Sequence, residues 1–268
     1  AGLETRGRRE YLERRGTGCA ESPRGGLEGG RRTRPTGSQA LLGPETPSGV
    51  YEDPEEQIVV GLPFGEDIPP DSPIQVNGTP TIVDDGVRTG MEFDNAEDYL
   101  IIPAEPSNDL THDGTIEAWL KPTTNVAWAG IIHKGTNPDW SDEGYSFQYD
   151  GGRRLMLAMT SAGGQLVLVH TNHVLATGSW SHVVVTWNND EAHIYVDGTD
   201  VVTQITAGFT STQTTIAANY PFRSSDGDVV VGTQIPGNGR RFNGVMSDVR
   251  IYDRYMEPVE VLERAGGS

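Results

Sequence analysis

From residue 58 onward, apolar and polar positions alternate in short runs, broken every few residues by Gly, Pro, Asn or Asp. Side chains of a β-strand point alternately to its two faces, so this texture predicts half-buried strands. The clearest stretch is residues 178–199. Val183, Val185 and Trp187 share one face, and Asn188-Asn189-Asp190 turns the chain. Ile194 and Val196 then face one way, His193 and Tyr195 the other. Asp197-Gly198 suits the φ > 0 positions of a tight hairpin turn. Residues 115–121 alternate likewise, with Ile116, Ala118 and Leu120 together. Further strands are expected at 58–62, 90–94, 99–102, 130–134, 145–149, 154–160, 165–170, 228–232 and 245–252. Residues 63–81 read as a Pro-rich loop, and the Thr-rich stretch 203–220 fits neither period. Only residues 257–264 suggest a helix, with Pro258 in its first turn. Many short strands with Asp-Gly punctuation predict an all-β fold: a two-sheet antiparallel β-sandwich, or jelly roll, with a short C-terminal helix.

Composition divides the chain. Residues 1–50 carry nine Arg against six Glu, a net of +3, and the other 218 carry 11 Lys+Arg against 32 Asp+Glu, a net of −21. Residues 1–56 have no hydrophobic period and read as a disordered basic, Gly/Pro-rich leader or linker, leaving 57–268 as the folded domain. The acidic domain would repel phosphate, which argues against nucleic acid as a partner. Cys19 is the only cysteine, so the domain has no disulfide and depends on its core. No apolar run approaches the roughly 18–20 residues a membrane helix needs, so no membrane insertion is expected. Only Lys121 and Lys134 are lysines. An acidic, lysine-poor surface fits a high-salt habitat and equally an ordinary soluble surface. No signal peptide is visible, and the chain opens on Ala, which leaves room for an export signal upstream.

Five ordered segments carry a resemblance. They are Met91-Glu-Phe-Asp-Asn-Ala-Glu-Asp-Tyr99-Leu-Ile-Ile-Pro103, Gly114-Thr-Ile-Glu-Ala-Trp119-Leu-Lys-Pro122, Gly178-Ser-Trp180-Ser-His182, Ile194-Tyr-Val-Asp197-Gly198, and Asn243-Gly244 through Asp248-Val-Arg-Ile-Tyr252-Asp-Arg254. Together they resemble the laminin G-like, concanavalin A-like jelly-roll superfamily in its LamG/pentraxin-like branch. That resemblance implies two antiparallel sheets, one concave. It also implies a glycan or protein ligand on the concave face or at a rim loop, often with calcium.

Candidate chemistry lies mainly in loops. Residues 133–145 bring together His133, Lys134, Asp139, Trp140, Asp142 and Glu143. An indole packs on the apolar face of a sugar, and carboxylates accept hydroxyl protons; Trp140 as a local packing plug is the alternative. By the resemblance, the first acidic calcium ligands of pentraxin-type members fall near Asp142-Glu143, and the second cluster near 232–241. The latter stretch has no carboxylate but holds Arg240 and Arg241. A double calcium site is therefore not expected; a single Ca²⁺ on Asp139, Asp142 and Glu143 is the metal candidate. Arg240 and Arg241 could fork the carboxylate of an acidic glycan or pair with the chain's own acids. Gln148, Arg154, His170 and Asn172 are placed on the concave face, because Tyr145, Phe147 and Tyr149 point the other way. His170 and His173 alone do not make a zinc site. Trp119, Trp180 and Trp187 read as structural, and Trp128 sits unassigned in a turn. Asp94, Asp98 and Asp248 either cap turns or hold a structural ion.

Catalysis is not expected. Retaining glycanases need two carboxylates roughly 5–5.5 Å apart. Glu92-Phe-Asp94-Asn-Ala-Glu97 has the spacing of a glycanase strand motif, but a turn at 95–98 takes Glu97 off the strand. No G-x-S-x-G elbow, P-loop or dinucleotide fingerprint is present. The expected function is a non-catalytic, extracellular, lectin-like carbohydrate-binding module. Its ligand-binding set is His133, Trp140, Asp142, Gln148, Arg154, His170, Asn172, Arg240 and Arg241. The alternative is a structural or adhesion module that binds a protein within a cell-surface or virion assembly.

Overall fold

The computed structural model describes residues 57–65, 68–94, 97–137, 144–207, 211–213, 216 and 221–266. In chain order the strands are β1 (Ile58–Leu62), β2 (Gln75–Asn77), β3 (Thr81–Asp84), β4 (Thr89–Phe93), β5 (Tyr99–Ile102), β6 (Gly114–Thr124), β7 (Gly130–Lys134), β8 (Tyr145–Tyr149) and β9 (Leu155–Thr160). They continue as β10 (Leu166–Thr171), β11 (Ser181–Trp187), β12 (Ala192–Val196), β13 (Thr199–Asp200), β14 (Val202–Ala207), β15 (Ser211–Gln213), β16 (Val229–Val231) and β17 (Asn243–Tyr252), followed by the helix α1 (Pro258–Gly266). The first sheet has eight strands in the order β13-β12-β11-β6-β17-β4-β3, with β1 also pairing β17. The second has nine, ordered β15-β14-β10-β9-β8-β7-β16-β5-β2.

Alternation along the strands builds the core. Ile116, Ala118 and Leu120 of the first sheet, and Tyr145, Phe147, Leu157 and Val169 of the second, belong to one buried cluster between the sheets. Trp187 is fully buried there, its ring 5.8 Å from that of Tyr145. Its indole explains Gly114: a Cβ at that position would lie 2.3 Å from the ring. The hairpin expected at 178–199 is β11 and β12, in register from Val183↔Val196 to Trp187↔Ala192. Asp197 (φ 49°) and Gly198 (φ 77°) are both left-handed, as a type I′ turn requires.

Two departures from the sequence reading concern weakly patterned strands. Residues 63–81 contain the short β2, paired to β5. Residues 203–220 contribute β15 and nearly all of β14, which begins at Val202; β14 lies against β10 with Ile205 opposite Val169. Near a sheet edge, the neighbour's backbone specifies a strand more than its own apolar pattern does.

Helix α1 covers part of the outer face of the first sheet. Val261 packs with Val184, Tyr195, Tyr252 and Met256 in a small cluster separate from the main core. Arg264 Nη1 reaches Glu117 Oε2 at 3.1 Å and the Tyr252 hydroxyl at 2.9 Å. Glu117 also accepts hydrogen bonds from His182 Nε2 (2.9 Å) and the Tyr252 hydroxyl (2.7 Å). Burial pushes its pKa up, but those two hydrogen bonds and the Arg264 charge outweigh burial, and the net shift is downward.

Candidate functional site

The outer face of the second sheet is the unusual surface. Strand register places Val230, His133, Ser146, Ala158, Leu168 and Thr206 in one row across β16, β7, β8, β9, β10 and β14. The neighbouring row runs Gly130, Gln148, Met156, His170 and Gln204. An outer face is ordinarily wet, yet His133, Ser146, Gln148 and Ala158 are fully buried and Met156 is 1% exposed. Met156, Ala158 and Leu168 form an apolar cluster of their own, with Trp128 and Leu166 packed on it. Trp128 thus acts as a roof over this face. Its backbone is left-handed (φ 64°), an uncommon state for a bulky residue that must be held by its surroundings. Its N–H donates to the Asp150 carbonyl at 3.2 Å. Its indole sits so close to Gly151 that a Cβ there would come within 2.9 Å of the ring.

Gly130 opens this face to the 232–242 loop. Its N–H donates to the Arg240 carbonyl (3.0 Å), and the Gln234 N–H donates to the same carbonyl (3.2 Å). A Cβ on Gly130 would fall 2.2 Å from the Gln234 nitrogen, so only glycine lets the loop close down here. Gln234 consequently sits over Gly130, directly across the strand pair from Gln148.

These two glutamines carry the clearest chemical signal. Gln234 Oε1 accepts from Arg240 Nη1 (2.7 Å) and Asn238 Nδ2 (3.2 Å). Two donors on the oxygen fix the amide's orientation, so its Nε2 is a donor, and that buried nitrogen has no partner. Gln148 Oε1 meets the Ser146 hydroxyl at 2.9 Å, and its buried Nε2 also has no partner. A hydroxyl can donate or accept, so one amide atom of Gln148 is unsatisfied in either orientation. A buried polar group without a partner costs about 1–3 kcal/mol, so each would gain from a ligand oxygen.

The expected site residues separate into groups. Register puts His133, Gln148 and His170 on the outer face of the second sheet, and Arg154 lies just before β9. His170 Nε2 lies 3.0 Å from Thr206 Oγ1, and burial lowers its pKa, partly opposed by Asp150. Arg154 Nε donates to Asp150 Oδ2 at 2.8 Å, so its charge is paired. Asn172 instead lines an open cleft of about 380 Å³ with His173, Asp200, Val201, Val202 and Thr203. Arg241 Nη2 is held by Glu97 Oε1 at 2.7 Å. Arg240 sits with its guanidinium carbon 5.8 Å from the centre of the Trp128 ring. Trp140, Asp139, Asp142 and Glu143 lie outside the described residues. Among the described residues, no group of three or more His, Cys, Asp or Glu side chains is arranged to hold a metal ion.

Lys134 lies on the strand expected at 130–134. It ends β7 fully buried, donating to Asn108 Oδ1 (3.0 Å) and the Gly227 carbonyl (2.8 Å). Burial lowers its pKa against the pull of Asp109, Asp228 and Asp226. Trp119 and Trp180 are committed to internal contacts. Trp119 lies between the Arg88 guanidinium (3.8 Å) and the His182 ring (4.9 Å), and Trp180 Nε1 donates to Asp85 Oδ2 at 2.8 Å. Asp98 is a turn staple that accepts from Thr79 N (2.8 Å) and Asp94 N (3.1 Å). Asp248 pairs with Arg88 at 2.8 Å. Glu97 has φ 86° and lies beyond the end of β4, as the turn at 95–98 implied. Sequence reasoning missed Gln234 and left Trp128 unassigned. The one available signal was Trp128 and the Gly-rich 232–239 loop, both without hydrophobic period.

Comparison with known proteins fits this architecture. The family described as the concanavalin A-like lectin/glucanases superfamily matches residues 94–262. No curated protein sequence matches the chain. Among solved structures, the binding domain of Paraclostridial Mosquitocidal Protein 1 superposes with a TM-score of 0.59 at 14% identity, covering 80% of this chain and 53% of that one. The binding domain of Botulinum neurotoxin DC, solved in complex with rat synaptotagmin II, gives 0.59 at 11% identity, covering 80% and 52%. Domain 4 of AbnA, a GH43 extracellular arabinanase from Geobacillus stearothermophilus, solved with arabinotriose, gives 0.51 at 17% identity, covering 72% and 86%. The chain spans about half the length of the toxin binding domains it matches. At these identities the likeness concerns the fold; the two toxin neighbours are binding domains.

Proposed function

Because the chain belongs to the concanavalin A-like lectin/glucanases superfamily, we propose that it is a non-catalytic carbohydrate-binding module. Its glycan would lie against the outer face of the second sheet, where Trp128, Arg240, Gln148 and Gln234 meet. The observation that carries this reading is the pair of buried, unpartnered amide nitrogens on Gln148 and Gln234. Sugar hydroxyl and ring oxygens are suitable acceptors for such donors, and the half-buried Trp128 indole offers an apolar face for sugar C–H groups. The arabinotriose held by the arabinanase domain supports a glycan as ligand on this fold. An extracellular or cell-surface location belongs to the same proposal, as does a Ca²⁺ ion on Asp139, Asp142 and Glu143.

Glycan-array binding by the purified chain is the test. Gln234→Ala should weaken the strongest signal about tenfold or more, the scale of one lost buried hydrogen bond. Unchanged binding in that variant removes the site, and an array without signal removes the glycan.

A protein ligand is the second reading. Val259 and Leu262 on helix α1 are each 61% exposed, and the neurotoxin domain was solved with a protein receptor. Retention of a surface-protein partner that is lost in Leu262→Glu, with no glycan affinity, would favour it.

A further inference from the structure

We infer that the glycan taken by this site is acidic, with a sugar carboxylate seated on Arg240. The inference rests on the glycan reading above and specifies its ligand class. It is carried by how the charges near the site are compensated.

Among the described residues, most arginines are held by a carboxylate. Arg88 pairs with Asp248, Arg154 with Asp150, Arg241 with Glu97, and Arg254 and Arg264 with Glu260. Arg240 is not so held, and unlike Arg153, which also has no ion pair among the described residues but is exposed, it is half-buried. Among the described residues its side chain bonds only the neutral Gln234 Oε1, at 2.7 Å, and faces the Trp128 ring. Among the described residues no carboxylate neutralises it, although Glu97 pairs with the adjacent Arg241. The loop that carries it, 232–241, contains no acidic residue.

Geometry adds to the charge argument. The bond to Gln234 uses Nη1 and leaves the Nε/Nη2 edge of the guanidinium, the fork that grips a carboxylate with two parallel hydrogen bonds. Gln234 holds that fork in place, and its own Nε2 supplies a further donor beside it. The site therefore offers mainly donors: the free fork of a half-buried guanidinium and the oriented Gln234 N–H₂ group. An anionic, acceptor-rich sugar such as a uronate or sialic acid satisfies all of them. A neutral sugar would leave the guanidinium half-buried and uncompensated, which is costly.

The ligand itself can be edited to test this. Titration calorimetry of the full chain would compare a galacturonate tetramer, a hyaluronate tetrasaccharide and sialyllactose, each with its carboxyl-reduced counterpart, alongside arabinotriose as a neutral probe. At least one acidic glycan should bind, and reduction of its carboxyl should weaken binding tenfold or more. Arg240→Gln should erase that difference, and Arg240→Lys should restore part of it. Equal affinity for a native and a reduced glycan, or binding of neutral glycans alone, overturns the acidic ligand and leaves the glycan reading standing. No binding of any probe overturns the acidic ligand, and an empty glycan array overturns the parent reading as well. Because the decisive change is made on the ligand, the result does not depend on how a variant folds.

Discussion

Gln148 is the residue where function and stability pull apart. In the free protein its amide nitrogen is buried without an acceptor, a cost of about 1–3 kcal/mol. Its oxygen makes one hydrogen bond, to Ser146, worth about 1 kcal/mol. Gln148→Leu removes both, and the leucine would extend the apolar patch of Met156, Ala158 and Leu168. Combined with Ser146→Ala, so that no buried hydroxyl is orphaned, the expected outcome is a melting temperature unchanged or raised by a few degrees together with lost glycan binding. A clear fall in melting temperature would mean that the amide is satisfied in the free protein and that its role is structural. Alternation placed Gln148 and His170 on one face, since it needed only the phase of β8 and β10, but not Asn172, which lies beyond the end of β10. Gln234 was not legible, because its position depends on a missing side chain at Gly130, about a hundred residues earlier. Arg241 and Arg240 are adjacent and read alike; only the fold shows that Glu97 takes one and leaves the other.

At the scale of elements, helix α1 depends on the acid beneath it. Glu117 is 3% exposed and its pKa is lowered on folding, so the charged carboxylate belongs to the native state. A folded pKa below the unfolded value contributes stability that is fully present above the unfolded pKa, about 4.5 for this side chain. That stability is lost as pH falls from there through the folded value. Acid unfolding should therefore steepen below about pH 4.5, and Glu117→Gln should flatten the curve in that window. An unchanged acid limb in Glu117→Gln would show that other carboxylates control it. Arg264→Ala leaves Glu117 two of its three donors, and about 2 kcal/mol is the expected loss, or roughly 4–8 °C in melting temperature. The helix itself was legible from Pro258 and a short amphipathic run. Its docking was not, because Glu117 alternates on β6 as any solvent-facing acid would. β14 and β15 escaped notice for a related reason: their Thr and Gln residues leave no apolar stripe, and pairing to β10 defines them.

For the whole molecule, the sandwich follows from strand patterning and turn chemistry, and the ligand face follows from what the outer side of the second sheet leaves unsatisfied. The proposed calcium has its own test at this scale. An ion bound only by the native state raises its stability, so chelator should lower the melting temperature and added Ca²⁺ should restore it. Loss of that response in Asp142→Asn would place the ion at the expected loop, and a melting temperature indifferent to chelator would contradict a bound ion. The central claim, a glycan held by the two glutamine amides, is most directly read in a ¹⁵N–¹H correlation spectrum. The side-chain N–H₂ signals would be assigned by their disappearance in Gln148→Leu and Gln234→Leu and followed through titration with the strongest array glycan. The account predicts that both pairs shift with ligand and saturate together. Saturable binding that leaves both pairs unmoved, or that perturbs only the first sheet and helix α1, would contradict it.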